Sequence, residues 1–205
     1  MATRKSRCRW CTASSIRINM ITLLIARHGQ TEENVARILQ GQIPGHLTEE
    51  GISQARQMRE QLKDTRIDLI VSSDLKRATD TAAIISEPHG GHFITEPLLR
   101  ERDFGKYTGE PYINISRAID DPNAETMEQV SDRAIRFLTK LAREHDGETI
   151  LAVSHGLFLR VLQSVFHHAD IHDIPRMDNA EIRTLTLSPG QEFTVVTQEV
   201  GTTAN

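Results

Sequence analysis

The chain has 205 residues but only two cysteines, Cys8 and Cys11, which lie close together near its N-terminus. No disulfide framework can hold the fold together, which fits a reducing compartment, and we expect a cytoplasmic protein. A Cys-x-x-Cys pair can form part of a zinc site, but a structural site commonly needs four ligands and the sequence has no second pair. We therefore favour two free thiols over a zinc-binding module.

Long apolar runs and a large net charge are also absent from the sequence. No apolar stretch reaches the roughly 18 residues that a membrane-spanning helix needs, so we expect no membrane partner. The formal net charge of −4 gives no indication of a nucleic-acid partner. With 38% hydrophobic and 25% charged residues, the composition is that of an ordinary globular protein. It leaves open whether the protein is a monomer or a dimer.

The first 19 residues differ from the rest because they contain several basic side chains and no acidic one. They lack the apolar centre of a secretory signal. We favour a loose tail, and the alternatives are an organelle transit segment or an extended start of the chain. We predict a basic, disordered extension over residues 1–19, one domain over residues 20–200 and a tail over residues 201–205. A single domain suits a chain of this length.

Short apolar segments alternate with segments of helical periodicity, which predicts an α/β fold. Several of the apolar segments are continuously rich in Ile, Leu and Val, as strands covered on both faces are. We therefore expect a three-layer α/β/α sandwich with a mostly parallel central sheet. The predicted strands are Ile21–Ala26, Asp68–Ser72, His92–Thr95, Thr149–Ser154, Glu181–Leu187 and Thr194–Thr197.

Four segments show apolar residues at helical spacing, and one long segment shows none. The residues from Pro97 to Asn123 are rich in glycine and proline and read as an irregular insertion, of the kind that often carries function. The predicted helices are one that Thr48 caps, one over Leu75–Ile85, one over Val130–Leu141 that runs towards a stop at Gly147, and one over Leu157–Phe166.

Ligands of open α/β sheets bind at the carboxyl ends of the strands. The first predicted strand is followed by Arg27 and His28, and the second leads to Arg77 one turn into the next helix. The fourth is followed by His155 and Gly156. Three strand ends thus bring His, Arg and His to one rim of the sheet.

His28 lies between Arg27 and Gly29, directly after the first strand and before a predicted helix. A guanidinium and a helix N-terminus both favour a bound anion, and Gly29 would let the backbone approach it. A nucleophilic nitrogen in an anion pocket is what phosphoryl transfer through a phosphohistidine requires. Arg77 could clamp the same phosphate, or it could form a surface ion pair with a neighbouring aspartate.

A second histidine and a nearby acidic run complete the candidate chemistry. His155 could donate to a phosphoryl oxygen; a metal pair with His28 is less favoured because arginines surround the site. A leaving alkoxide needs a proton, which Glu101 or Asp103 could supply. The residues alone do not separate these two acids, and a solvated charge run is the alternative to both.

Several segments, in order along the chain, resemble the motifs of the histidine phosphatase superfamily, the phosphoglycerate-mutase-like proteins. The resemblance covers roughly residues 20–200. The matching segments are Arg27-His28-Gly29 with Thr31 and Asn34, Gln40-Gly41 followed by Leu47–Gly51, Ser73–Ala82, Leu99-x-Glu101 with Gly105 and Gly109, Glu125-Thr126, Val153–Gly156 with Arg160, and Asn179–Ile182.

The resemblance implies a role for each site residue. His28 would be the nucleophile, and Glu101 would be the general acid and then the base. The choice of Glu101 over Asp103 rests on the resemblance alone. It implies no metal or other cofactor. The implied phosphate- and substrate-binding residues are Arg27, Thr31, Asn34, Gln40, Gly41, Arg77, His155 and Gly156.

The segment Gln42-Ile43-Pro44-Gly45-His46 departs from the Asp-x-Pro that the family often has there. We expect Gln40, Ile43 and His46 to shape a substrate pocket particular to this chain. The predicted activity is hydrolysis of small phosphorylated metabolites through a phosphohistidine. A cofactor-dependent phosphoglycerate mutase is the nearest alternative, although the short stretch between Gly109 and Glu125 argues against it. A non-catalytic regulator that binds a phosphorylated ligand is the alternative of another class.

Overall fold

The computed structural model of the protein describes residues 19–112 and 120–194. The strands are β1 (Ile21–Arg27), β2 (Leu69–Ser72), β3 (Ile94–Thr95), β4 (Thr149–Ser154) and β5 (Ile182–Leu187). The α-helices are α1 (Glu32–Val35), α2 (Glu49–Leu62), α3 (Lys76–Ser86), α4 (Met127–Glu144) and α5 (Gly156–His167).

The five strands form one sheet in the order β3-β2-β4-β1-β5. β1 pairs with β4 in parallel, with Arg27 opposite Ser154 at their carboxyl ends. β2 is parallel to β3 and β4, and only β5 runs antiparallel, along β1. The predicted mostly parallel sheet is confirmed.

Alternate side chains of the central strands face opposite layers of helix. Leu23 and Ile25 of β1 belong to the core on one side, which α4 and α5 cover. Leu24 and Ala26 belong to the core on the other side, which α2 and α3 cover. Burial on both faces explains why these strands are apolar without alternation. The three-layer α/β/α sandwich is therefore confirmed.

The predicted element bounds differ from the structure at a few ends. The third strand is shorter than predicted and contains only Ile94–Thr95, which pair with the end of β2. Thr194 lies outside any strand, and residues 195–197 of the sixth predicted strand lie outside the described residues. The cysteine pair, the basic extension and the tail also lie outside them. No helix within residues 19–112 and 120–194 is long and apolar enough to span a membrane.

Two glycines allow α2 to pack against the loop that follows β1. A Cβ atom on Gly29 would lie 2.4 Å from the carbonyl oxygen of Gly51, and one on Gly51 would lie 2.0 Å from that of Gln30. The expectation that Gly29 leaves room for a ligand was therefore wrong, because the backbone of Gly51 occupies that space. The close contact fixes the loop that carries His28 to the sheet and to α2.

This contact predicts that Gly29→Ala destabilises the protein more than an alanine at an uncrowded glycine does. The added methyl would force two backbone segments apart, so we expect the free energy of unfolding to fall by about 3 kcal/mol. Gly91→Ala is the control: its Cβ would meet nothing within 4 Å, and only its φ of +73° is unfavourable, which costs about 1 kcal/mol. Equal losses in urea unfolding would contradict the proposed packing constraint.

Candidate active site

A cavity of about 690 Å³ lies at the edge of the sheet where β1 and β4 end. Its position is the one that the strand-end rule predicts. Its wall combines four arginines and one carboxylate with polar and apolar side chains. The lining residues are Arg27, His28, Asn34, Leu39, Gln40, Gly41, Arg77, Glu101, Phe104, Tyr112, Gly156, Leu157, Arg160, Arg176, Met177 and Asn179.

The imidazole of His28 is held in one orientation on the cavity wall. Its Nδ1 lies 2.7 Å from the carbonyl oxygen of Gly29, to which a protonated Nδ1 donates. The Nε of Arg77 donates to its Nε2 over 3.3 Å. Both contacts favour the tautomer with the proton on Nδ1, which leaves the lone pair of Nε2 available as a nucleophile.

The surroundings of His28 favour its neutral form. Burial lowers the pKa of His28 well below its ordinary value of 6.5, and the charges of Arg77 and Arg27 lower it further. The hydrogen bond to the Gly29 carbonyl opposes them by raising the pKa. A group with such a lowered pKa is unprotonated at pH 7.

Arg77 is buried, and its guanidinium is hydrogen-bonded throughout. Its Nη2 donates to the carbonyl of Gly41 over 2.8 Å, and its Nη1 donates to that of Ile43 over 2.6 Å. Burial lowers the pKa of Arg77 to about 10, an effect that the charge of Glu101 opposes. The predicted alternative, a surface ion pair, was wrong, because Asp74 pairs with Arg100 and Asp80 with Lys76.

Arg27 lies across the start of α5. Its Nη1 donates to the carbonyl of Met177 over 2.7 Å, while its buried Nε has no partner among the described residues. A Cβ on Gly156 would lie 3.2 Å from that Nε, so the absence of a side chain there lets the guanidinium lie close to the helix backbone. Arg27 therefore lines the cavity and keeps one buried N–H without an acceptor among the described residues.

His155 lies beside His28 but does not form part of the cavity wall. The two ring centroids are 5.2 Å apart, and the Nε2 of His155 lies 2.8 Å from the hydroxyl of Ser73. Its buried Nδ1 has no partner among the described residues. Burial lowers the pKa of His155 well below 6.5, with Arg77 as the next cause. His155 is thus held neutral next to His28.

The structure separates Glu101 from Asp103. The carboxylate of Glu101 lines the cavity and accepts hydrogen bonds from the backbone nitrogens of Leu157 and Phe158, each over 3.1 Å, and from that of Arg102 over 2.9 Å. It thereby caps the N-terminus of α5. Asp103 accepts a bond from the Gly105 nitrogen and lies outside the cavity wall.

Three other predicted binding residues lie outside the cavity wall. Thr31 is fully buried and forms a capping box with Asn34, so its hydroxyl is occupied by α1. That helix has only four residues. Ile43 contributes its carbonyl to Arg77, and His46 is exposed. The cavity is lined by Asn34, Gln40, Gly41 and Gly156 but not by Thr31, Ile43 or His46, so the expectation that Ile43 and His46 shape the pocket was wrong, while a binding role for Thr31 stays a prediction.

Sequence reasoning missed part of the cavity wall. Asn179 donates to the carbonyl of His28 and to the side chain of Asn34, each over 3.1 Å, and thus connects the loop before β5 to the loop after β1. Arg176 and Met177 come from that same loop. The motif Asn179–Ile182 indicated this region without giving Asn179 a role, and nothing indicated Arg176 or Met177, because the loop has no strand end or helical pattern of its own.

The cavity concentrates positive charge on a protein whose net charge is negative. Four arginines and one glutamate line it, against a formal net charge of −4 for the chain. Such a local field attracts anions. The described residues contain no group of three or more His, Cys, Asp or Glu side chains placed to hold a metal ion.

The family model of the histidine phosphatase superfamily (branch 1) matches residues 23–200. The chain belongs to the histidine phosphatase superfamily. The resemblance to the family's motifs is thereby confirmed. This histidine phosphatase is an enzyme with phosphatase activity, as its family and its relatives named as phosphatases show. The alternative of a non-catalytic regulator is set aside.

Named relatives of this histidine phosphatase include both hydrolases and a mutase. The metal-independent phosphoserine phosphatase of Arabidopsis thaliana is 32% identical over 171 residues, which are 75% of this chain and 72% of that protein. The Proteus mirabilis protein named "Probable phosphoglycerate mutase GpmB" is 34% identical over 159 residues, 71% of this chain and 74% of that protein. A solved mycobacterial glucosyl-3-phosphoglycerate phosphatase in complex with VO3 has a TM-score of 0.72 and 28% identity, covering 85% of this chain and 97% of that one.

The two buried histidines predict that acid destabilises this histidine phosphatase. Their folded pKa values lie well below the ordinary 6.5, so below pH 6.5 the unfolded chain binds more protons than the folded one. The free energy of unfolding is therefore fully retained above pH 6.5. Between pH 6.5 and the folded pKa it falls by up to about 1.4 kcal/mol per pH unit for each histidine.

Urea unfolding at pH 7.5 and pH 5.5 measures this effect. His155→Gln removes one of the two groups, so its stability should depend less on pH than that of the wild type. His92→Gln, at an exposed position, is the matched control and should follow the wild type. The same pH dependence in all three proteins would mean that His155 does not contribute.

Proposed function

We propose that this protein is a metal-independent phosphomonoesterase that transfers the phosphoryl group of a small phosphorylated metabolite to His28 and then to water. The observation that carries the proposal is the imidazole of His28: its Nδ1 is bonded to the Gly29 carbonyl, and its Nε2 faces an arginine-lined cavity. Membership of the family and relatives named as phosphatases support it.

In the first step, the Nε2 of His28 attacks phosphorus in line with the leaving oxygen, and the phosphorus–oxygen bond of the ester breaks. The Nε of Arg77 donates to Nε2 in the structure, and it donates to a phosphoryl oxygen instead once Nε2 bonds to phosphorus, while its Nη atoms keep their carbonyl partners. The free Nε of Arg27 provides a second donor. Fixed positive groups in a site partly closed to water stabilise the charge on the equatorial oxygens.

His155 supports the same step from beside the nucleophile. Because its Nε2 bonds to the hydroxyl of Ser73, its unpartnered Nδ1 is the atom left to contact a phosphoryl oxygen. A neutral histidine adds no charge repulsion to its neighbour, whereas a protonated one would raise the energy of the buried site. We assign His155 to phosphate binding.

Glu101 is proposed as the proton donor to the leaving oxygen and then as the base for the attacking water. Its Oε2 accepts only the bond from the Leu157 nitrogen, which leaves one lone pair for a proton or for a water. The three backbone bonds fix the carboxyl group at the cavity wall. A single carboxyl group can serve both steps because the second reverses the proton movement of the first.

A phosphoglycerate mutase is the second candidate, and the mutase-named relative favours it. A mutase would use the same nucleophile but return the phosphoryl group to a bound acid. The stretch between Gly109 and Glu125 is short and contains one basic residue, Arg117, which argues for the phosphatase. Incubation with 3-phosphoglycerate separates the two, since a phosphatase releases inorganic phosphate and a mutase yields the 2-phospho isomer.

His28→Ala should abolish turnover, because it removes the nucleophile of the first step, which is also the group that water displaces in the second. We expect phosphate release from p-nitrophenyl phosphate, measured in excess chelator, to fall about a thousandfold or more. His92→Ala removes an exposed histidine at the other end of the sheet and should retain wild-type activity. Comparable activity in His28→Ala and wild type would refute the mechanism.

Glu101→Gln should slow the hydrolysis of a substrate more strongly when its leaving oxygen depends more on protonation. Glycerol 3-phosphate leaves as an alkoxide and p-nitrophenyl phosphate as a stable phenolate, so we expect a loss of about 10²–10⁴-fold for the former and a much smaller loss of bond cleavage for the latter. Single-turnover kinetics isolate that step. Asp103→Asn, outside the cavity, should affect both substrates equally and little; an equal large loss in Glu101→Gln would exclude proton donation.

A further inference from the structure

The loop before β5 is held in place by arginines that donate to its backbone. Arg160 donates to the carbonyl of Ile174 over 2.7 Å. Arg183 donates to those of Pro175 and Arg176 over 3.1 and 3.0 Å. Every carbonyl from 174 to 177 accepts such a bond, the last from Arg27. The backbone of this loop is therefore fixed relative to the cavity.

Arg176 is the one residue of this loop whose guanidinium faces the cavity without a protein partner. It forms no ion pair or hydrogen bond through its side chain among the described residues, although Asp173 and Asp178 lie close to it in sequence. The other three arginines of the wall donate to backbone carbonyls. Of the four arginines that line the cavity, only Arg176 has a guanidinium without any partner among the described residues.

The backbone of Arg176 lies directly next to the contact that Arg27 makes with this loop. The carbonyl of the next residue, Met177, accepts the hydrogen bond from the Nη1 of Arg27. Arg27 and Arg176 therefore meet the same short stretch of backbone, one through this hydrogen bond and the other through the chain itself. Tyr112 also lines the cavity; burial raises the pKa of its hydroxyl, and the charges of Arg27 and Arg176 oppose this. Arg176 thus lies on the same cavity as His28 but is not one of the groups that hold His28.

Four apolar side chains also line the cavity. Leu39, Phe104, Leu157 and Met177 line the cavity without offering a hydrogen bond through their side chains. A cavity of about 690 Å³ is of the size that holds a whole small ligand. The leaving group of the substrate therefore meets apolar side chains and the free guanidinium of Arg176. This combination favours a small carbon skeleton that carries a second negative charge.

We propose that Arg176 binds a second anionic group on the substrate, carried by the leaving group, while the phosphoryl group lies at His28. The inference rests on the proposed function, because it assumes that the phosphoryl group occupies the pocket of Arg27 and Arg77. The substrate is then a phosphorylated hydroxy acid, whose carboxylate meets the guanidinium, or a bisphosphate, whose second phosphate does. Arg176 is a specificity-determining residue.

Matched substrate pairs measure this preference. 3-Phosphoglycerate and glycerol 3-phosphate differ by a carboxylate in place of a hydroxymethyl group. The bisphosphate and monophosphate of propane-1,3-diol differ by the second phosphate. For each pair, the ratio of the two kcat/KM values reports recognition of the second anion. We expect the wild type to favour the anionic member of at least one pair.

Arg176→Met should lower that ratio about tenfold, mostly by raising KM for the anionic member, because a charge-assisted pair is lost. Arg176→Lys should restore it in part, since the charge returns without the planar fork. Arg136→Met removes an exposed arginine of α4 that does not line the cavity. It is the matched control and should leave both ratios at the wild-type value.

The outcomes separate this inference from the proposed function. A fall confined to the first pair identifies a carboxylate, and one confined to the second pair identifies a phosphate; both support the role of Arg176. Unchanged ratios in Arg176→Met, or an equal KM increase for both members of each pair, would overturn it. If p-nitrophenyl phosphate hydrolysis still requires His28 in that case, the proposed function stands without it.

Discussion

The buried guanidinium of Arg77 is the interaction on which the rest of the site depends. It is almost fully removed from water, yet its donors reach the carbonyls of Gly41 and Ile43 and the Nε2 of His28. A buried charge is tolerated only when it is hydrogen-bonded in this way. One side chain from α3 therefore fixes the 41–44 loop and orients the nucleophile, and its charge adds to burial in lowering the pKa of both histidines.

Other arginines around the cavity also donate their hydrogen bonds to backbone carbonyls. Arg27, Arg160 and Arg183 each hold backbone carbonyls of the loop before β5, and Glu101 accepts backbone N–H groups at the start of α5. Charged side chains that satisfy backbone groups are fixed before any substrate arrives. A site arranged in advance loses little energy to reorganisation during the reaction. The protein thus combines a negative net charge with a rigid, positively charged cavity.

Particular residues show how far the sequence predicts this site. Arg27, His28, Arg77 and His155 follow the ends of three neighbouring strands, and the carboxyl ends of parallel strands meet at one edge of a sheet, so local patterns were sufficient to bring them together. Gly29 was misinterpreted, and the capping role of Thr31 was not predicted, because their partners, the backbone of Gly51 and the first turn of α1, are set by packing and loop geometry. Arg176 was missed because its loop is shaped by arginines from distant elements, which no local pattern indicates.

The central claim is that His28 carries the phosphoryl group between the two steps. Rapid quenching of Glu101→Gln during turnover of p-nitrophenyl phosphate, followed by mass analysis of the peptide that contains His28, tests it most directly. The account predicts up to one acid-labile phosphoryl group per enzyme on that histidine, formed together with a burst of p-nitrophenolate. A burst-free reaction with an unmodified peptide, or a phosphoryl group on another residue, would contradict the account.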